Sequence, residues 1–221
     1  MPIDDARQRL TDINDRIARA AQLAGAPRPA TLIAISKMHD ADAIRPLIAA
    51  GQRVFGENRV QEAAAKWPPL KAETPDVALH LVGQLQSNKA EEAVDLFDTI
   101  HSVDRPSLVT ALAAAMARTG KRPDCFVQVN IGDEPQKGGC AIGDLPELLA
   151  QAREAGLPVV GLMCVPPLDT EAAPYFALLA KLAREQGLDG LSMGMSGDYE
   201  TAAMIGATHI RIGTALFGAR A

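Results

Sequence analysis

Three short segments of the chain carry residues whose types suit a phosphate and an aldehyde. Towards the carboxyl end, an alternating segment stops at Gly213, and Thr214 begins a helical segment. A strand-to-helix turn of this kind presents unpaired backbone N–H groups and the positive end of the helix dipole, which together favour a dianion. Ser196 and Gly197 close the preceding strand-like segment, and Lys37 closes the first one. A phosphate-binding turn facing a primary amine predicts a site for a phosphorylated aldehyde.

The elements that must position these residues follow from an alternation of apolar and amphipathic segments. Parallel strands need crossover connections, so this alternation indicates βαβ units and a parallel sheet. Eight strands match a closed barrel better than an open sheet, and the first is not followed by the G-x-G-x-x-G motif of dinucleotide-binding folds. The predicted strands are residues 31–36, 53–56, 78–83, 97–103, 125–130, 158–164, 190–195 and 209–213.

We therefore predict the α/β class and one domain over residues 1–221, a single (β/α)8 TIM barrel with an extra N-terminal helix. An amphipathic period gives that helix over about residues 4–24, and the barrel fills about residues 31–221. Further helices are expected at residues 41–50, 107–118 and 171–186, with a glycine near the end of each. The pair Pro68–Pro69 is expected in a loop because proline interrupts helices.

The composition limits the class of partner. Nucleic-acid binding needs clustered lysine and arginine, whereas this chain of 221 residues has a net charge of -5 and only 4% aromatic residues. No apolar run approaches the roughly 18 residues of a membrane span, and no basic segment followed by an apolar one opens the chain. We expect no nucleic acid, no membrane association and a cytoplasmic location.

Three cysteines bear on metal and disulfide chemistry. Cys125, Cys140 and Cys164 are odd in number and far apart, which suits neither a disulfide framework nor a zinc site with short paired spacings. Cys125 and Cys164 lie in apolar segments and are expected to be buried, whereas Cys140 follows two glycines in a predicted loop, where its thiol could be exposed. No metal site is predicted.

Side-chain parity predicts which groups face the barrel interior. Alternate residues of a strand point to the same side, so Ile210 and Ile212 are expected to pack against helices while Arg211 points inwards. By the same rule His80 lies on an inward face of the third strand. Because TIM-barrel sites form at the carboxyl ends of strands, Lys37 is expected at the mouth.

Each of these residues also has an interpretation that needs no ligand. Lys37 could be an exposed lysine at a strand end, Arg211 half of a buried ion pair, and His80 a hydrogen-bonded core imidazole. Ser196–Gly197 and Gly213–Thr214 could be ordinary caps and turns. Together, however, an amine, a dianion cradle, an inward cation and an imidazole favour one site, a pocket for pyridoxal 5'-phosphate (PLP).

Arg211 discriminates between uses of that cofactor. Enzymes that use PLP as a full electron sink usually place an acidic group at the ring nitrogen. An arginine at that position keeps the nitrogen unprotonated and weakens carbanion stabilisation.

Six motifs, in order along the chain, resemble those of the pyridoxal phosphate homeostasis protein family. The resemblance spans about residues 32–220, and several motifs are highly specific. The motifs are AISK (34–37), FGEN (55–58) with VQE (60–62), HLVGQLQSNK (80–89), HSVD (101–104), LSMGMSGD (191–198) and RIGTALFG (211–218).

This resemblance implies a barrel of the alanine racemase N-terminal type that holds PLP as a Schiff base on Lys37. It implies intracellular PLP homeostasis as a carrier or buffer, without established turnover, with PLP-dependent apoenzymes as recipients and a monomeric state. The implied cofactor-binding residues are Lys37 and Asn58 at the pocket, Ser196, Gly197, Gly213 and Thr214 at the phosphate, Arg211 at the ring nitrogen and His80 near the ring face.

The chain also departs from the family pattern. The family commonly has a second lysine two positions after the first, followed by proline, where this chain has His39 and Asp40. Arg59 stands where a tyrosine is common, and Leu79 where a tryptophan is common. None of these changes removes an implied cofactor ligand, but any accessory role of the second lysine does not carry over.

Two alternatives stay open beside a carrier. The first is a weakly active fold-type III PLP enzyme, racemase- or lyase-like, acting on amino acids; racemisation needs a second base, and neither Tyr175 nor Tyr199 is expected to reach the imine. The second is a cofactor-free barrel that uses a Schiff-base lysine on a sugar phosphate, as aldolases do.

Overall fold

A computed structural model describes residues 1–26 and 28–218 of the chain. Within them, eight parallel strands close into a barrel in sequence order. The strands are β1 (Thr31–Ile35), β2 (Val54–Glu57), β3 (Ala78–Leu81), β4 (Thr99–Val103), β5 (Asp124–Val129), β6 (Val159–Cys164), β7 (Gly190–Ser192) and β8 (His209–Ile212). The barrel closes where β1 pairs with β8.

The helices lie between the strands and form the outer layer. They are α1 (Ile3–Leu23), α2 (Ala41–Ala49), α3 (Val60–Glu73), α4 (Ala90–Leu96), α5 (Pro106–Thr119), α6 (Leu145–Glu154), α7 (Ala173–Glu185), α8 (Tyr199–Met204) and α9 (Thr214–Phe217). Short 3₁₀ turns at Ser87–Lys89 and Ile142–Asp144 precede α4 and α6. The predicted (β/α)8 barrel with an extra N-terminal helix is confirmed. The domain bounds of 1–221 stay a prediction, and residues 219–221 lie outside the described residues.

The extra helix α1 seals the side of the barrel where the last two helices are short. Its buried residues recur at helical spacing, including Leu10, Ile13 and Ile17, and they face inwards. The helix contacts α2, α8 and α9. Because α8 and α9 are only 6 and 4 residues long, α1 supplies apolar cover that they cannot.

The prediction that Pro68–Pro69 lies in a loop is wrong. Both prolines lie inside α3, between Trp67 and Leu70, whose side chains are fully buried. Each of the two prolines inside the helix costs about 3 kcal/mol, and burial of Trp67 and of Leu70 returns about 1.5–3 kcal/mol each, which offsets up to the whole cost. Burial of these two anchors therefore keeps the segment helical.

Cys140, predicted in a loop where its thiol could be exposed, is instead buried. Its N–H donates to Gln128 and its carbonyl accepts from Asn130, so the residue extends the edge of β5 and is only 7% exposed. Burial raises the pKa of its thiol to about 12. Cys125 and Cys164 are buried as expected.

Two features are absent from residues 1–26 and 28–218. No helix there is both long and apolar enough to span a membrane. Within the same ranges, no cluster of histidine, cysteine and acidic side chains could hold a metal ion.

Candidate functional site

A cavity of about 390 Å³ lies at the carboxyl ends of the strands. It brings together six of the eight predicted site residues. Among the residues that line it there is no aspartate or glutamate, so its charged groups are both cationic. The lining residues are Ile35, Lys37, Asn58, Val82, Val165, Met195, Ser196, Arg211, Gly213 and Thr214.

Lys37 differs from every other lysine of the chain in its surroundings. The sequence has seven lysines, and the other six form ion pairs with acidic side chains. Lys37 has no hydrogen-bond or ion-pair partner among residues 1–26 and 28–218, and its side chain is exposed at the cavity. Its amine is therefore available to a ligand.

The turn after β1 carries Lys37 to this position. Met38 has φ 62, a left-handed conformation, and the N–H of His39 donates to the carbonyl of Ser36 at 3.1 Å. The His39 ring stacks on Phe217 with centroids 4.2 Å apart. This stack joins the lysine turn to α9.

The opposite wall of the cavity presents free backbone amides. The N–H groups of Gly213 and Thr214, at the start of α9, have no acceptor in the described part of the chain. The same holds for Ser196 at this wall and for Gly197, which lies beside it in a neighbouring pocket; their turn is fixed because Asp198 accepts from the N–H of Met195 at 2.6 Å. These amides fit an anion.

Asn58 reaches the cavity from the end of β2. Gly83, which follows β3, passes so close that a Cβ there would lie 2.2 Å from the Asn58 carbonyl oxygen. The absence of a side chain at Gly83 therefore lets the two strand ends approach. The side-chain amide of Asn58 has no described protein partner.

Arg211 points into the barrel, as parity predicted. Nη1 donates to the Ser192 hydroxyl at 2.7 Å and Nη2 to the Cys164 carbonyl at 2.8 Å, which leaves Nε without a described protein partner. Both partners are neutral, so the interpretation of Arg211 as half of a buried ion pair is wrong. Burial lowers the pKa of Arg211 below its ordinary value.

His80 and Gly197 do not line this cavity. His80 is buried deeper in the barrel, where its Nδ1 lies 3.0 Å from Nε2 of His101. Gly197 lines a neighbouring pocket of about 350 Å³ with Met195 and Asp198. The predicted cofactor contacts of His80 and Gly197 stay predictions.

A hydrogen-bonded chain links His80 to Arg211. Ser192 accepts from Arg211, and its oxygen lies 2.9 Å from Nδ1 of His101. The hydroxyl proton has no other described acceptor, so Ser192 donates to His101, whose Nε2–H then donates to His80. Sequence reasoning missed His101 and Ser192, although both lie in the quoted motifs.

The imidazoles of His80, His101 and His209 are neutral at physiological pH. Burial lowers the pKa of His80 to about 3, and it lowers the pKa of His101 well below its ordinary value. Burial together with Arg211 lowers the pKa of His209 to about 4. Neutral rings can accept hydrogen bonds. The hydrogen-bonded chain between Arg211 and His80 requires this of His101 and His80.

Comparison with known proteins decides the family. The family model for the alanine racemase N-terminal domain matches residues 9–221. The pyridoxal phosphate homeostasis protein of Pseudomonas aeruginosa is 41% identical over 222 residues, covering 96% of this chain and 95% of the relative. This chain belongs to the pyridoxal phosphate homeostasis protein family.

Solved structures agree with that membership. PipY of Synechococcus elongatus, in a structure with PLP bound, is 40% identical with a TM-score of 0.84 and covers 96% of this chain and 100% of its own. Alanine racemase from Bartonella henselae, which carries covalently bound PLP, is 15% identical with a TM-score of 0.75. That match covers 99% of this chain and 60% of the racemase, and it shows the common fold.

Against this family background, neither tyrosine of the chain lies at the cavity. Tyr199 is buried at the start of α8, and its hydroxyl accepts from Arg16 of α1 at 3.3 Å. Tyr175 lies in α7 and packs against the core. Neither residue lines the cavity, as expected from the sequence.

Proposed function

We propose that this protein binds PLP in the cavity, holds it as a Schiff base on Lys37 and serves as an intracellular PLP carrier or buffer. The observation that carries the proposal is one cavity in which a lysine and backbone amides both lack a partner among the described residues, and which no described carboxylate lines. Membership of a family in which PipY has been solved with PLP bound supports the same ligand.

Lys37 supplies the nucleophile. Its unprotonated Nζ attacks the aldehyde carbon, a C–N bond forms, and water leaves with the aldehyde oxygen and both amine hydrogens. When bound, PLP supplies this aldehyde and an electron-withdrawing ring.

The phosphate is assigned to the opposite wall. The amides of Ser196, Gly197, Gly213 and Thr214 supply donors, and the hydroxyls of Ser196 and Thr214 have no described protein partner. A dianion surrounded by these donors and by no carboxylate is stabilised by charge-assisted hydrogen bonds.

The ring is assigned to the space between the two walls. Arg211 is the donor for the ring nitrogen, Asn58 lines the side, and Ile35 and Val82 supply apolar contact. His80 acts behind the ring, through the hydrogen-bonded chain that holds Arg211 in place.

A carrier fits this arrangement better than a racemase or lyase. Two-base racemisation needs a second acid/base group opposite Lys37, and Tyr175 and Tyr199 both lie elsewhere. Arg211 carries a positive charge where full electron-sink enzymes use an acid. We assign no turnover to the site.

The proposal also covers the location of the protein, its oligomeric state and the recipients of PLP. We place the protein in the cytoplasm as a monomer that exchanges PLP with PLP-dependent apoenzymes. A transfer assay with an apoenzyme, and sedimentation at several concentrations, test these assignments.

Titration of the apoprotein with PLP tests the main proposal. Lys37→Ala should lose the visible absorption of the Schiff base and keep its unfolding temperature, because its side chain lies at the mouth. The matched control is Lys181→Ala, which removes an exposed lysine paired with Glu185 on α7. Schiff-base absorption that persists in Lys37→Ala, or disappears in the control, contradicts the proposal.

A further inference from the structure

We propose that Lys66, held by Glu57, is a positioning residue that sets the Lys37 turn for attack on an aldehyde. The proposal rests on the assigned function of Lys37. It concerns two charged residues that lie outside the cavity and that the binding account does not use.

Lys66 of α3 binds the backbone on both sides of Lys37. Its Nζ donates to the carbonyl of Ser36 at 2.9 Å and to the carbonyl of His39 at 2.8 Å. Its Nζ also donates to Oε1 of Glu62 at 3.5 Å and lies 2.7 Å from Oε1 of Glu57, with which it forms an ion pair. An ammonium has three N–H groups, so the carbonyls of Ser36 and His39 and the carboxylate of Glu62 use all of them, beside the ion pair with Glu57.

Glu57 fixes the ammonium from the end of β2. The side chain of Glu57 is fully buried, and its Oε1 also accepts from the hydroxyl of Ser36 at 2.6 Å and from Nε1 of Trp67 at 3.0 Å. One carboxylate oxygen therefore holds both Lys66 and the residue that precedes Lys37.

The ion pair between Glu57 and Lys66 is poorly explained by stability alone. Oε2 of Glu57 is buried and has no hydrogen-bond partner in the described ranges, while the Lys66 side chain is only 9% exposed. Desolvation of a buried pair offsets much of its attraction, so such pairs are weak stabilisers. A role in fixing the geometry of the turn accounts for the burial of both charges.

The turn itself needs an external support. Met38 adopts a left-handed conformation, and its side chain is 74% exposed, so no apolar contact holds it. Its N–H donates to Glu62, one helical turn before Lys66 in α3. Helix α3 thus supplies two of the groups that fix the backbone around Lys37.

Two ligands distinguish a positioning role of Glu57 and Lys66 from a purely structural one. PLP reports Schiff-base formation on Lys37, whereas pyridoxine 5'-phosphate has the same ring and phosphate but an alcohol in place of the aldehyde. The double variant Glu57→Gln/Lys66→Met removes both charges together, so no unpaired buried charge is left. We expect Schiff-base formation to slow by about 100-fold, the scale of a misplaced reactive group. Affinity for pyridoxine 5'-phosphate should be unchanged.

The control variant lies on the same helix. Lys71→Met removes an ion pair with Asp98 and a contact with the Leu96 carbonyl, both away from the cavity. Both readouts should match wild type in this variant. If the double variant fails to fold, Lys66→Arg keeps the charge beside Glu57 but cannot place three N–H groups on the same acceptors. Lys66→Arg should also slow Schiff-base formation and leave the affinity for pyridoxine 5'-phosphate unchanged.

The outcomes are distinct. A wild-type rate of Schiff-base formation in the folded variant overturns the positioning role. If Schiff-base formation with PLP and affinity for pyridoxine 5'-phosphate fall equally, Glu57 and Lys66 have a purely structural role. That result also overturns the positioning role. Failure of the wild-type protein to form a Schiff base on Lys37 contradicts the proposed function instead.

Discussion

Two basic side chains and a set of backbone amides face one another across the cavity; among the residues that the structure describes, the amides have no acceptor and no acidic side chain lines the cavity. At the scale of residues, this charge pattern accounts for an anionic aldehyde as ligand. Lys37 offers a free amine, whereas Arg211 is fixed by two neutral acceptors and cannot leave its place without exposing them. The wall opposite Lys37 binds the anion through backbone amides. A changed side chain there therefore affects anion binding only through its charge or its bulk.

Ser196→Glu tests the phosphate assignment. The side chain is exposed at the cavity rim, so a carboxylate there should leave the fold intact and repel a dianion. We expect PLP affinity to fall by about tenfold or more, a loss of about 1.4 kcal/mol or more. Binding of pyridoxal, which lacks the phosphate, should be unaffected.

Ser107→Glu is the control for added charge, because Ser107 is exposed on α5 and does not line the cavity. Equal weakening of pyridoxal and PLP by Ser196→Glu would show that the phosphate is bound elsewhere.

At the scale of elements, the connection from β7 to α8 places the Ser196–Gly197 turn. Gly194 has φ 91, and a Cβ at that position would lie 2.5 Å from Cβ of Ala202 in α8. Its carbonyl accepts from the N–H of Arg211 at 3.0 Å, which ties the connection to β8. A glycine is required here on both conformational and steric grounds.

Gly194→Ala should therefore lower the free energy of unfolding by about 2–5 kcal/mol, the sum of a left-handed penalty and an overpacking penalty. The comparison variant is Gly187→Ala, which has φ 66 but no heavy atom of the described residues within 4 Å of the added carbon. It should cost only about 1–2 kcal/mol. Denaturant midpoints measure both, and equal losses would contradict the steric part of the argument.

The sequence predicts elements well where one physical rule dominates. Alternation located the eight strands, and parity placed Arg211 inside the barrel. Strand ends were predicted too long, as at β7, because the apolar pattern continues past Ser192 while the backbone turns at Gly194. Burial of Trp67 overrode the proline signal in α3.

Contacts between elements could not be predicted in the same way. Lys66 lies nine positions after Glu57, and no sequence rule shows that α3 returns its side chain to the end of β1. His101 and Ser192 are joined only because β4 and β7 face one another across the barrel. Such contacts depend on closure of the sheet.

At the scale of the whole molecule, the barrel interior is built around neutral aromatic and imidazole rings. His80, His101 and His209 come from three different strands, and His101 stacks on Phe126 of β5 with centroids 4.5 Å apart. Together they fill the lumen beneath the cavity. Protonation of these rings would place positive charges beside buried Arg211.

This arrangement predicts a loss of stability in mild acid. Burial lowers the pKa of His80 to about 3 and that of His209 to about 4, whereas both are about 6.5 in the unfolded chain. Below pH 6.5 the unfolded state therefore binds more protons, and stability falls towards pH 4. Each buried histidine contributes a slope of up to about 1.4 kcal/mol per pH unit.

Denaturant unfolding between pH 7 and 5 measures this slope, above the range where most carboxyl groups titrate. His80→Asn keeps an acceptor for His101 and should reduce the slope by about one proton. A wild-type protein equally stable at pH 7 and pH 5 would show that the histidines are solvated.

The most direct test of the central assignment is chemical. The PLP-loaded protein is reduced with borohydride, digested, and mapped by mass spectrometry to locate the pyridoxyl group. The unpartnered amine of Lys37 predicts a single adduct on the peptide that contains Lys37. An adduct on any other lysine, or none, would contradict the account.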